Sequence, residues 1–193
     1  MSNVFLIMLG AILTENFIFF RFFGICPFLG VSDKPSKSLG MGIAVTFVMT
    51  VTSAATYAVY RYVLVPLKVE YLSTIAFVLV IVSLVQLIEM ILTRYAASFY
   101  SSLGINLPLV TTNCAVLGAA LVNIKSHHSF TDSIVFGFSA ALGFTLALLI
   151  FSGVRARLEL ADPPKSFKGI PLLLVAAGLV AMAFSGFMGM RFS

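Results

Sequence analysis

Charge is scarce in this chain. Of 193 residues, 12 are Lys or Arg and 7 are Asp or Glu, a tenth of the whole. An ordinary soluble domain carries about a quarter of its residues charged, so this balance excludes one. The basic residues form no block, which excludes the basic patch of a nucleic-acid interface. Cysteine is as sparse: two thiols make neither a disulfide framework nor the Cys-rich run of a ferredoxin. No Gly-rich nucleotide loop occurs either. The opening Met1-Ser2-Asn3-Val4 lacks the basic region and small-residue cleavage site of a secretory signal, so the first apolar stretch is expected to be kept as a spanning helix.

What the chain does have is apolar surface. Sixty per cent of it is hydrophobic, and its mean hydropathy is +1.09. A soluble fold of this size cannot hide so much from water, so the expected fold is an all-α integral membrane protein, one membrane domain over residues 1–193. A spanning helix needs about 20 mostly apolar residues. Six stretches qualify: Val4–Phe23, Leu39–Tyr60, Tyr71–Leu92, Leu103–Asn123, Ser133–Gly153 and Ile170–Met190. Pro66 is expected to end the second, and Pro171 suits the first turn of the sixth. Arg21, Lys34, Lys37, Arg94, Arg155, Arg157, Lys165 and Lys168 fall on one side of this topology, and Arg61, Lys68, Lys125 and Arg191 on the other. The excess of positive charge marks the first side as cytoplasmic, with both termini outward.

Cys26-Pro27-Phe28-Leu29-Gly30 and Cys114-Ala115-Val116-Leu117-Gly118 are the same phrase, Cys-x-x-Leu-Gly, repeated 88 positions apart. The chain therefore reads as two related halves, residues 1–97 and 98–193. Each half has an odd number of crossings, so the second lies upside down relative to the first, a common layout in transport proteins. Gly24 and Pro27 flank the first thiol; Pro108, Thr111, Thr112 and Asn113 precede the second. Such residues break helices and cap new ones. Each cysteine is expected at or near the N-terminus of a half-helix, in a break of the kind tolerated where it is buried in protein or lines a cavity.

The thiols admit three readings: inert buried residues, a disulfide clamp, or metal ligands. A tetrahedral iron site or iron–sulfur cluster takes four thiolates, so one chain would supply half and a second copy or related subunit the rest. Helix N-termini favour such an anionic centre. The adjacent pair His127-His128 diverges from a loop and reads as solvated. Glu15 and Glu89 lie within predicted spans, where a charge costs at least ~2.5 kcal/mol near the bilayer centre. Glu89 reads as one half of an interfacial ion pair with Arg94 or, with Glu15, as a candidate for an ion or proton path. Glu15 is either a hydrogen-bonded structural acid or part of an ion or proton path.

With these residues in view the chain resembles the A-type membrane subunits of Rnf complexes (RnfA/RsxA), ion-translocating ferredoxin–NAD oxidoreductases of prokaryotic membranes. The resemblance rests on Phe22-Phe23-Gly24-Ile25-Cys26-Pro27-Phe28-Leu29-Gly30-Val31-Ser32, on Gly40 to Thr50, on Leu107-Pro108-Leu109-Val110-Thr111-Thr112-Asn113-Cys114-Ala115-Val116-Leu117-Gly118, and on Phe136 to Ala141. The NqrE component of the sodium-pumping NADH–quinone reductase is a close relative. Thr14-Glu15-Asn16 departs from the pattern, which often reads Asn-Asn there. The resemblance implies six helices paired with a homologous, RnfE-like membrane subunit of opposite topology, and a [2Fe-2S] cluster shared between them, with Cys26 and Cys114 as this chain's metal ligands. It implies a component of an oxidoreductase with no nucleotide or flavin site of its own, in the inner membrane of a prokaryote. Ferredoxin and NAD would act on the partners of B, C, D and G type. The alternatives are a secondary transporter with inverted repeats, a component of the quinone reductase, or a structural subunit with no cofactor.

Overall fold

In an apolar solvent a helix satisfies every backbone group within its own segment, and all regular structure in the described part of this chain is helical. The computed structural model describes residues 8–14, 16–67, 70–95, 113–126, 129–161, 164 and 167–186. Six α-helices organise them: α1 (Ile25–Val31), α2 (Pro35–Val59), α3 (Ser73–Tyr95), α4 (Cys114–Lys125), α5 (Phe130–Leu158) and α6 (Ile170–Ser185). Three helical stretches are long and apolar enough to cross a membrane: Pro35–Leu64, Ser73–Ile91 and Phe130–Leu158; α4 and α6 are shorter.

The expected boundaries need correcting at several ends. The first expected span runs to Phe23, but regular helix stops well before it. Residues 8–14 are helical, the last five as a π-type turn, Gly10–Thr14. Beyond them Asn16 turns the chain. It is fully buried, its Nδ2 donates to the carbonyls of Gly143 (2.9 Å) and Ile12 (3.3 Å), and its Oδ1 accepts from Ile18 N (3.1 Å). One amide side chain thus replaces helix bonds that the break forfeits. Pro66 does not end the second span outright. The helix passes through a π-type turn, Tyr60–Leu64, into Val65–Leu67, an adjustment that accommodates the missing proline N–H. Arg94 lies in the last turn of α3 instead of beyond it. The expected fourth and sixth spans are described from Asn113 onward and up to Gly186; residues 96–112, His127-His128 and residues 187–193 lie outside the described part.

The core is the pair α2 and α5. Early on α2, Gly42 meets Thr145 at the middle of α5; late on α2, Ser53 meets Gly137 nearer the start of α5. The two helices therefore run in opposite directions. Their buried faces match at a constant offset of 95 positions: Met41 and Phe136, Gly42 and Gly137, Val45 and Ala140, Met49 and Phe144, Thr52 and Ala147, Thr56 and Phe151 are all buried. Hydroxyls on these helices bond back into them, as Thr46 does to Gly42 O, Thr52 to Val48 O and Thr145 to Ala141 O, so they can be buried without an external partner. By contrast α6 buries only Ala176, and α3 leaves Ile75, Leu79, Leu87 and Met90 exposed. Such apolar faces suit lipid or partner helices.

Arg155, near the end of α5, fastens α1. Its Nη1 donates to Leu29 O (2.9 Å) and to the Oγ of the buried Ser32 (3.1 Å). A cation here meets the last carbonyls of α1, where the helix dipole favours positive charge. Ser38 Oγ donates to Val31 O in the same cluster. In the turn that follows, Asp33 takes a hydrogen bond from Lys37 Nζ at 2.9 Å. That bond, with the nearby charges of Lys37 and Arg155, holds its carboxyl below the ordinary aspartate range against the opposing effect of burial.

A methyl group on Gly42 would overlap Thr145, whose hydroxyl is held by Ala141 O, so the helices must separate. Gly42→Ala should lower stability by about 1–3 kcal/mol in thermal denaturation of the detergent-solubilised complex, and Thr145→Ala in the same chain should restore part of the loss. Arg155→Gln should cost about 1.5–3 kcal/mol, the range for hydrogen bonds to charged groups, with faster amide exchange over residues 25–32 as the local readout. The contribution of Asp33 is fully present above the unfolded aspartate value and disappears as pH falls through its lowered folded value; Asp33→Asn should flatten that acid limb.

Candidate metal centre

The first cysteine is positioned by a tight reversal. Phe22 has φ 55 and Gly24 φ 83, the left-handed region that glycine enters without strain and a bulky aromatic rarely occupies. Gly24 is the residue before α1, and its carbonyl accepts Phe28 N at 3.1 Å. Cys26 is thus the second residue of α1. The second cysteine is the first residue of α4. Its helix is capped by Asn113, whose Oδ1 accepts Ala115 N at 3.0 Å. Both expectations of a thiol at a helix start match the described geometry.

The two phrases touch. Gly24 N–H donates to Cys114 Sγ at 2.9 Å across 90 positions of sequence. The contact needs small residues on both sides. A Cβ on Gly24 would stand 2.6 Å from Phe144 Cε2 and 3.3 Å from the Ala115 Cβ, and one on Gly118 would run into the ring of Phe23. Thus the Gly of the second Cys-x-x-Leu-Gly phrase seats the aromatic that precedes the first. Behind the thiols, aromatic rings pack the core: Phe17 with Phe23 at 6.1 Å, and Phe28 stacked on Phe151 at 4.2 Å.

Both thiols are free and exposed. The residues around them are buried, as at Gly24, Pro27 and Ala115, while the sulfur-bearing residues face out of this chain and are not joined by a disulfide. Among the described residues no group of three or more His, Cys, Asp and Glu side chains stands together to hold a metal ion by itself. Of the acidic candidates, Glu89 is half-buried on α3, while Glu15 lies outside the described residues.

The residues alone do not single out Asn16, Gly24 N–H or Arg155 as determinants of this site. Gly24 acts through its backbone, which carries no side-chain signal. Asn16 and Arg155 act on carbonyls 127 and 126 positions away, partners that only the fold supplies. Asn113 is legible as a capping residue, though its burial is not.

The family described as Rnf-Nqr subunit, membrane protein, matches residues 4–191. The chain is 54% identical over 190 residues to the A component of the ion-translocating oxidoreductase complex of Syntrophotalea carbinolica, covering 98% of each chain. It is 54% identical over 185 residues to the A component of the Na(+)-translocating ferredoxin:NAD(+) oxidoreductase complex of Acetobacterium woodii, covering 96% of each. With the A component of the ion-translocating oxidoreductase complex of Aeromonas hydrophila the identity is 48% over 190 residues, 98% of each chain. These relatives are named as subunits of ion-translocating oxidoreductase complexes, and the matches span nearly the whole chain with both cysteine phrases inside them. The chain belongs to the Rnf-Nqr family of membrane subunits.

Proposed function

We propose that the chain is a membrane subunit of an Rnf-type enzyme coupling electron transfer between ferredoxin and NAD to Na+ or H+ translocation. In this reading Cys26 and Cys114 are half of the ligands of a [2Fe-2S] cluster shared with a homologous, RnfE-like subunit. The enzyme class follows from the names of relatives about half identical over nearly the full length. Ferredoxin and NAD act on other members of the complex.

The observation that carries the metal assignment is the bond from Gly24 N–H to Cys114 Sγ, 2.9 Å long, between two free and exposed cysteine phrases. The donor set fits: a [2Fe-2S] cluster takes four thiolates, two thiols at neighbouring helix starts present half of them, and their exposure leaves the other side open to a second subunit. Once bound, the cluster would take up and release single electrons within the membrane. The chain's own residues orient the sulfurs. Gly24 N–H holds Cys114, and the positive end of the α4 dipole favours negative charge at its first residue.

Two inverted three-helix repeats, residues 1–97 and 98–193, fit this arrangement, crossing the prokaryotic inner membrane six times with both ends outward. Support comes from the opposed α2 and α5 and from their common burial pattern at an offset of 95. Opposite orientation lets the two cysteine loops enter from opposite faces and meet. Glu15 and Glu89 are the proposed ion or proton path.

In the purified intact complex, Cys26→Ser and Cys114→Ser should each remove one cluster's worth of iron and the matching EPR signal. Wild-type iron content with an unchanged spectrum would sink the assignment. Glu15→Gln should reduce ion uptake into vesicles more than it reduces assembly of the complex; uptake at the wild-type rate removes Glu15 from the path.

A further inference from the structure

Asn113 is 4% exposed, yet its carboxamide is only half used. Oδ1 accepts Ala115 N–H at 3.0 Å. That bond settles the orientation of the amide, since only the oxygen can accept. Nδ2 is then left with N–H donors that have no acceptor among the described residues. A buried donor without a partner is costly, and the cysteine loop beside it makes sulfur the acceptor to test. The carboxamide lies on the cysteine loop: Oδ1 stands 3.2 Å from the place a Cβ would take on Gly24, and Gly24 N–H is itself bonded to Cys114 Sγ.

We infer that Asn113 Nδ2–H donates to a sulfur of the cluster proposed above and, together with Gly24 N–H, raises its reduction potential. The inference rests on the cluster reading and adds a positioning and tuning residue to it. Sulfur gains negative charge on reduction, so a donor to sulfur stabilises the reduced form more than the oxidised one, and hydrogen bonds to the sulfurs are among the terms that set cluster potentials. Residue choice agrees. Ser, Thr and Asp cap a helix as well as Asn does or nearly so, but only Asn adds an amide donor to the capping oxygen.

EPR-monitored redox titration of the intact complex tests it with two variants. Asn113→Ser keeps a capping oxygen, adds no charge and lacks the amide donor; Asn113→Ala loses cap and donor. Both should shift the cluster's midpoint to more negative potential, by up to about tenfold in the reduced-to-oxidised ratio, which is 59 mV for one electron. A cap alone would leave Asn113→Ser at the wild-type midpoint, and that result overturns the inference. Wild-type complex labelled with 15N only in asparagine side chains gives a second readout that does not depend on variant folding. A pulsed-EPR coupling to that nitrogen is expected, and its absence overturns the inference too. If the wild-type complex shows no signal that depends on Cys26 and Cys114, the cluster reading itself has failed. A signal present but indifferent to Asn113 leaves that reading standing and removes only the tuning role.

Discussion

A chain that interrupts its helices in an apolar phase must find a partner for every backbone group it frees, because water is not there to take them. The architecture around the two cysteines is the set of solutions to that demand. Asn16 covers the break before the first cysteine loop by reaching Gly143 O on α5. Arg155 reaches back from α5 to Leu29 O at the end of α1. Asn113 caps α4 with its own side chain, and Gly24 gives its N–H to the sulfur of Cys114. All but the Asn113 cap are long-range, so satisfying the breaks also ties the first cysteine loop to the second half of the chain.

The frame that holds these loops is the opposed pair α2 and α5. In lipid there is little hydrophobic gain in bringing apolar helices together, and association relies on close packing through small residues. Gly42 against Thr145 and Gly137 against Ser53 give that closeness at two levels of the pair. The shared burial pattern at a 95-position offset means that one face design serves both helices. The cysteine phrases are offset by 88. The second half therefore has seven more residues between its thiol and its long helix, nearly all of them in α4, which runs on to Lys125 where α1 stops at Val31, and the packed face stays in register.

The chain thus spends its buried surface on one rigid pair and keeps its chemistry at an edge. Thiols are exposed where half-helices begin, over a layer of stacked phenylalanines, while α3 and α6 carry apolar faces outward. Such an edge is suited to a protein that works only in company, as the relatives' names describe for theirs.

Much of this is readable from residues alone. Long apolar runs name the solvent and hence the all-helical class, since bilayer and backbone leave few other choices. The matching Cys-x-x-Leu-Gly phrases, with Gly24, Pro27 and Asn113 beside them, locate both helix starts, because those residues act on the backbone within a turn of where they stand. Span ends are less legible: Asn16 stops a helix that composition would carry on to Phe23, because its side chain finds a tertiary partner for the break, and the helix expected to end at Pro66 runs through it to Leu67 after a π-type turn. What only the tertiary structure decided was adjacency. That Gly24 bonds Cys114, that Arg155 seats α1, and that the thiols face outward while the residues around them are buried all depend on contacts spanning some 90 to 127 positions. Local sequence determines how a segment turns, whereas the packing of α2 against α5 decides what that turn meets.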